Sequence, residues 1–137
     1  MQIYSKAEVD KISCRIIGAA IEVHKNVGPG LLESAYHKFM KHELTLAGLC
    51  HASEFLVPVK YKGLVIETEL RCDFLVENCV VVELKAVERL APIFDAQLLT
   101  YMRFLEKPKG ILINFTCTNL FSQGQKTLVN ELYQALP

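Results

Sequence analysis

The sequence has no tryptophan, no net charge and no repeated block. It also lacks any apolar run near the ~20 residues that cross a bilayer, so no membrane-spanning helix is expected. Fifteen Lys and Arg balance fifteen Asp and Glu, which excludes a global attraction to polyanions. Binding to nucleic acid would then rest on a local patch, a bound metal or a partner. The five cysteines (Cys14, Cys50, Cys72, Cys79 and Cys117) contain no CxxC pair, so zinc-site spacing is missing. They are expected as reduced thiols in or near a core. Cys72 and Cys79 flank a turn, but a cytoplasmic compartment argues against bridging them. The opening "MQIYSKAEVDKI" lacks a basic start followed by an apolar block, so no secretory leader is expected. Linkers rich in Pro, Gly or Ser are also missing. A chain of 137 residues, 51% hydrophobic and 22% charged, is expected to form one cytoplasmic domain over residues 1–137.

"SKAE" at Ser5 reads as a capping box, with Ile12, Ile16, Ala19, Ala20 and Val23 following at helical spacing. "NVGPG" ends that helix, because Gly28 can take a positive φ and Pro29 cannot continue. A second helix is expected from near Leu31 to near Gly48, burying Leu32, Ala35, Tyr36 and Phe39. Strands follow in "EFLVPVKY", where Pro58 marks an edge or bulge, then in "LVIETELRCDFLV" and "CVVVELKAV". "FDAQLLTYMRFLE" reads as a helix and "KGILINF" as a central strand. From about Leu120 a last helix would turn Leu128, Val129 and Leu132 inward. The expected order is ααβββαβα: an α/β fold with a mixed sheet of about four strands flanked by helices.

The stretch "CDFLVENCVVVELKAVE" places Asp73, Glu83 and Lys85 in an apolar context. Glu83 and Lys85, two apart in a strand, share a face. Asp73 joins them only in one register. A two-residue turn at Glu77-Asn78 would set Asp73 opposite Val82. A loop of three residues, Glu77 to Cys79, pairs Val76 with Val80 and Asp73 with Glu83, and Asn78 tolerates the left-handed backbone such a loop needs. The odd-length loop is therefore expected. Two carboxylates brought together repel, and a divalent metal removes that conflict. Mg²⁺ takes one or two carboxylates plus waters and phosphate oxygens, and Lys85 could orient water or neutralise phosphate. Against this stands a plain cross-strand salt-bridge ladder, worth about 0.2–1 kcal/mol per pair. The flanking valines favour a central strand, where charges without a task are costly. On the next helix Gln97 and Tyr101 share a face at i and i+4.

"GPGLLESAYHKFM" carries Gly30, Glu33 and Tyr36 in a GxxExxY pattern. With Asp73, the Glu83-x-Lys85 pair, "AQLLTYM" and "KGILINF" in order, nearly the whole chain resembles the GxxExxY protein family of the PD-(D/E)XK nuclease-like superfamily. The resemblance implies a restriction-endonuclease-like core. It implies Asp73, Glu83 and Lys85 as the active residues, supported by Glu33 from the preceding helix and Gln97 from the following one. The superfamily name places a proline before the aspartate; here Cys72 holds that position.

Several of these residues have a second reading. Glu33 at a helix start complements the macrodipole, or it reaches a metal directly or through water. Tyr36 and Tyr101 are amphipathic core residues or neighbours of the site. Gln97 contacts a metal water, phosphate or base, or is simply solvated. His24 caps the first helix or joins the site, while His37, His42 and His51 read as surface residues. Glu67 and Glu69 would extend the polar face of Asp73 and repel a nucleic-acid backbone. Lys60, Lys62, Lys85, Arg89, Arg103, Lys107 and Lys109 are candidate phosphate contacts.

The leading expectation is an enzyme that hydrolyses nucleic-acid phosphodiesters with Mg²⁺ or Mn²⁺. Asp73, Glu83 and Glu33 would hold the metal, Lys85 and Gln97 would assist, and DNA is favoured over RNA. The alternative is a non-catalytic module of the same fold that works through a partner, marked by an exposed apolar patch near Pro58. A small-nucleotide phosphoesterase would need a narrow closed pocket instead. Limited surface beyond the core leans the expectation towards a homodimer or a protein partner.

Overall fold

The computed structural model describes residues 4–66 and 70–137. Helix α1 spans Lys6–Val27 and starts on the expected capping box: the Glu8 amide donates to Ser5 Oγ at 3.1 Å, and the Ser5 amide to Glu8 Oε1 at 3.2 Å. Val9, Ser13, Ile16, Ala19, Ala20 and Val23 are buried, and Ile12 packs at the margin. The helix stops at Gly28, whose φ of +68° suits glycine and whose amide donates to His24 O.

Helix α2, Glu33–Leu46, buries Tyr36, Met40 and Leu44. The expected face is therefore rotated: Leu32 precedes the helix and is 77% exposed, and Phe39 is exposed too. Tyr36 sets the rotation. Its ring stacks on Phe115 with centroids 4.3 Å apart, and its hydroxyl donates to Gly28 O at 2.5 Å.

Strand β1 (His51–Leu56) and strand β4 (Arg71–Val76) form an antiparallel pair, and a small hairpin of β2 (Val59–Tyr61) and β3 (Leu64–Ile66) lies between them in sequence. The Val57 amide donates to Leu70 O, so the β1–β4 ladder runs one step further before Pro58, which has no N–H, interrupts it. The expected parity of Glu67 and Glu69 falls outside the described residues. Strand β5 (Val80–Lys85) follows. Helix α3 (Pro92–Leu105) crosses over to β6 (Lys109–Asn114), which runs parallel to β5.

The expected C-terminal helix is replaced by a short π turn (Leu120–Gly124), a strand β7 (Gln125–Val129) and a single turn α4 (Glu131–Gln134). Strand β6 is buried throughout and needs partners on both edges, and Gln125–Val129 supplies the second. Val129 and Leu132 face outward. Gly124 makes the turn fit: a Cβ there would lie 2.7 Å from both Asn114 O and Cys117 Sγ.

The mixed sheet thus has five strands, ordered β1-β4-β5-β6-β7. Helices α1 and α2 cover one face over Phe74, Val76, Val80, Val82 and Leu84. Helix α3 covers the other over Leu75, Val81 and Leu112. Among the described residues no helix is long and apolar enough to cross a membrane. All five cysteines are free; Cys72 and Cys79 are buried, whereas Cys14 and Cys50, expected near the core, are exposed.

Candidate active site

The hairpin adopts the odd-length loop. Val76 pairs with Val80, Leu75 with Val81 and Phe74 with Val82, and both Glu77 and Asn78 take positive φ, near +51° and +53°. One step beyond Phe74–Val82 the ladder gives way to side chains. The Asp73 amide donates to Glu83 Oε1 at 2.9 Å, and the Leu84 amide donates to Asp73 Oδ2 at 2.7 Å. Each carboxylate thus occupies the place of a backbone carbonyl on the opposing strand. That exchange brings Asp73 and Glu83 together, as the register argument required.

Each acid spends one oxygen on an amide. Among the described residues Asp73 Oδ1 and Glu83 Oε2 make no hydrogen bond. Glu83 is 6% exposed, and burial, followed by the charge of Asp73, pushes its carboxyl up to about 8. Burial likewise raises Asp73 against the opposing effect of the Leu84 amide, and His37 and Lys85 also favour its charged form. Glu33, at the first turn of α2, is raised by burial and by Asp73. Negative charge therefore collects faster than the protein neutralises it.

The cation that acts on all three acids is Lys85. Its ammonium sits 4.4 Å from the Phe94 ring centroid, a cation–π contact that holds it between β5 and α3. Among the described residues Lys85 makes no ion pair within 4 Å. It nonetheless lowers Asp73, Glu83 and Glu33 through space. Helix α3 presents Phe94, Gln97 and Tyr101 along one side. The Tyr101 hydroxyl is pushed up by burial and then by the charges of Glu83, Cys72 and Asp73, with Gln97 opposing. Tyr101 is therefore near enough to Glu83 and Asp73 to feel their charge.

Two expected residues are held by contacts of their own, and Glu33 is linked to the acids only through space. Tyr36 pins the Gly28–Leu31 turn, with its hydroxyl also receiving the Leu31 amide at 3.3 Å. His24 Nε2 bonds Cys117 O at 2.9 Å, tying α1 to the loop after β6. Glu33 interacts with Asp73 through space, yet among the described residues no three of His, Cys, Asp and Glu are gathered to hold one ion. Asp73 and Glu83 are the two acids with an oxygen left over beside each other. Lys109 is withdrawn from the phosphate contacts: it is 7% exposed and paired with Asp10 at 2.8 Å.

Two neighbours were missed. His37, read as a surface residue, stacks on Phe74 with centroids 4.5 Å apart, buries its Nε2 without a partner among the described residues, and favours the charged forms of Asp73 and Glu33. Its spacing of i+4 from Glu33 was the available signal. Asn114, buried at the end of β6, receives the Val87 amide at 3.1 Å and donates to Val87 O at 2.8 Å. It extends the β5–β6 pairing past Lys85 and fixes the chain there.

The donor set suits a hard divalent cation. Two carboxylates, each with an oxygen to spare, meet where their charge is poorly compensated, and Mg²⁺ takes one or two carboxylates and completes its shell with water. Taken together, the features define a class: an α/β core whose sheet parts between two strands to hold an Asp, a Glu and a Lys side by side. A model of the PD-(D/E)XK nuclease superfamily matches residues 10–127, and the chain belongs to that superfamily. No curated protein and no solved structure gives a match. The five-stranded mixed sheet between helices is the restriction-endonuclease-like fold, and nucleases of this superfamily generally use divalent metal ions and bind nucleic acid.

Proposed function

We propose that this chain, as one domain of the GxxExxY group, hydrolyses nucleic-acid phosphodiester bonds with Mg²⁺ or Mn²⁺, and that Asp73 and Glu83 hold the ion. The observation that carries the reading is the exchange of carboxylates for carbonyls between β4 and β5, which leaves Asp73 Oδ1 and Glu83 Oε2 free. A bound divalent ion supplies an activated water and charge for the reacting phosphate. Lys85, held by Phe94, neutralises a phosphate oxygen or orients the attacking water. Gln97, one turn before Tyr101 on α3, offers an amide to water or phosphate. Glu33 acts through water, and His37 stands on the α2 side of Asp73, stacked on Phe74. DNA is the first substrate to try, ahead of RNA.

Incubating labelled DNA duplex, single strand and RNA with Mg²⁺, Mn²⁺ or EDTA tests this. Cleavage should require the metal and fall at least ~100-fold in Lys85→Ala. Equal cleavage by Lys85→Ala would sink the assignment. A second reading keeps the fold and works through a partner; the exposed apolar residues around Pro58 (Phe55, Leu56, Tyr61 and Leu64) favour it. No cleavage of any of the three substrates would select that reading.

A further inference from the structure

Five non-glycine residues of the described chain take positive φ. Four of them stand where the chain turns: Lys62 between β2 and β3, Glu77 and Asn78 between β4 and β5, and Glu106 at the end of α3. Glu54, at +50°, is the exception, because it lies inside strand β1. A left-handed backbone is costly for a residue with a Cβ, and glycine or asparagine would carry it with less strain. Strained residues of this kind gather at functional sites, where the surrounding structure holds them.

The register fixes what Glu54 stands beside. Ser53 pairs with Phe74 and Phe55 with Cys72, so Glu54 lies opposite Asp73, and the pairing between those two is missing. Strand β4 also turns over there: Phe74 packs under α1 and α2, whereas Cys72, two residues earlier, packs under α3. A regular strand keeps residues two apart on one face. The distortion of β1 and β4 therefore falls where Asp73 leaves the ladder to meet Glu83. Glu54 is exposed, and among the described residues its carboxylate makes no ion pair and no hydrogen bond. Its charge still reaches Asp73, whose carboxyl is raised first by burial and further by Glu54. An unpaired acid, on a strained backbone, beside another acid is disfavoured three ways and stabilises nothing among the described residues.

We infer that Glu54 is a further acid of the metal site, holding from β1 a water of the ion that Asp73 and Glu83 bind. The inference rests on the metal-site reading above and adds to it a residue from a strand that the Asp, Glu and Lys do not occupy. Direct ligation by Glu54 does not fit, because among the described residues no three of His, Cys, Asp and Glu are gathered to hold one ion. Contact through water does fit. Mg²⁺ keeps several of its waters, and a carboxylate accepts hydrogen bonds from them. Outer carboxylates of this kind orient the groups around an ion and add to its affinity. The left-handed backbone is then what turns an exposed strand residue towards the gap between β4 and β5.

Calorimetric titration of Mn²⁺ into the full chain tests this without a substrate. Glu54→Gln keeps the length of the side chain and removes its charge. Its affinity for Mn²⁺ should fall about 10-fold at unchanged stoichiometry. Glu131→Gln, which removes an acid from α4, should bind like the wild type. Glu54→Asn suits the left-handed backbone. In EDTA it should melt at or up to about 3 °C above the wild type, yet bind Mn²⁺ about 10-fold more weakly. A Glu54→Gln chain that binds Mn²⁺ as tightly as the wild type overturns the inference and leaves the Asp73–Glu83 site standing. A wild type that binds no Mn²⁺, with or without duplex DNA, overturns both. An equal loss of affinity in Glu131→Gln would make the effect one of net charge and overturn the inference. So would a fall of more than about 5 °C in the EDTA melting point of both Glu54 variants, which would make Glu54 a structural support.

Discussion

Glu83→Gln isolates the charge conflict at the site. The glutamine keeps the shape and the Oε1 acceptor for the Asp73 amide but cannot ionise. The Glu83 carboxyl sits at about 8, raised first by burial and then by Asp73, while the unfolded chain releases the same proton near ~4.3. Between those values the folded chain holds the proton and the unfolded chain does not, so stability falls as pH rises. Below about 4 both states are protonated and the group is neutral to stability; above about 8 the whole cost is present. At 1.36 kcal/mol per pH unit the cost is about 3–5 kcal/mol. For a chain of 137 residues, each kcal/mol moves Tm by about 3–4 °C. Thermal melts in EDTA from pH 5 to 9 should therefore show the wild type losing about 10 °C or more relative to Glu83→Gln. Excess Mg²⁺ at pH 8 should return much of that loss to the wild type only, since 100-fold saturation is worth about 2.7 kcal/mol. Parallel pH profiles for the two chains would refute the reasoning.

Other changes follow from the same contacts. Tyr36→Phe removes the bonds to Gly28 O and from Leu31 N and should cost about 1–2 kcal/mol by urea melt, with metal binding unchanged. Gly110→Ala puts a Cβ 2.7 Å from Met102 Sδ and 2.8 Å from Leu98 Cδ1, and should cost about 1–3 kcal/mol in the same melt. Asn114→Leu releases the Val87 backbone and should cost about 1–3 kcal/mol; any cleavage should fall in kcat more than in KM, because Lys85 loses its anchor two residues on.

The β4–β5 hairpin was legible because strand parity leaves only two choices for Asp73, and an Asn at the turn favours the odd-length loop. The splitting of the ladder into carboxylate–amide bonds was not, since alternation encodes which face a side chain takes and not whether the backbones stay paired. Helix α2 was placed but its face was rotated: Leu32 and Phe39 are as apolar as Met40 and Leu44, and the tie-breaker, the Tyr36 stack on Phe115, joins segments far apart in sequence. His37 was missed for a related reason, because its partner Phe74 lies on another element. Strand β7 reads as polar and helix-compatible alone, and only the free edge of β6 makes it a strand.

The claim that Asp73 and Glu83 form a divalent-metal site is tested most directly by calorimetric titration of Mn²⁺ and Mg²⁺ into the wild type and Asp73→Asn, with and without a short DNA duplex. The account predicts binding by the wild type at about one ion per chain, strengthened by duplex and lost in Asp73→Asn. Equal binding by both chains, or none by either with duplex present, would contradict it.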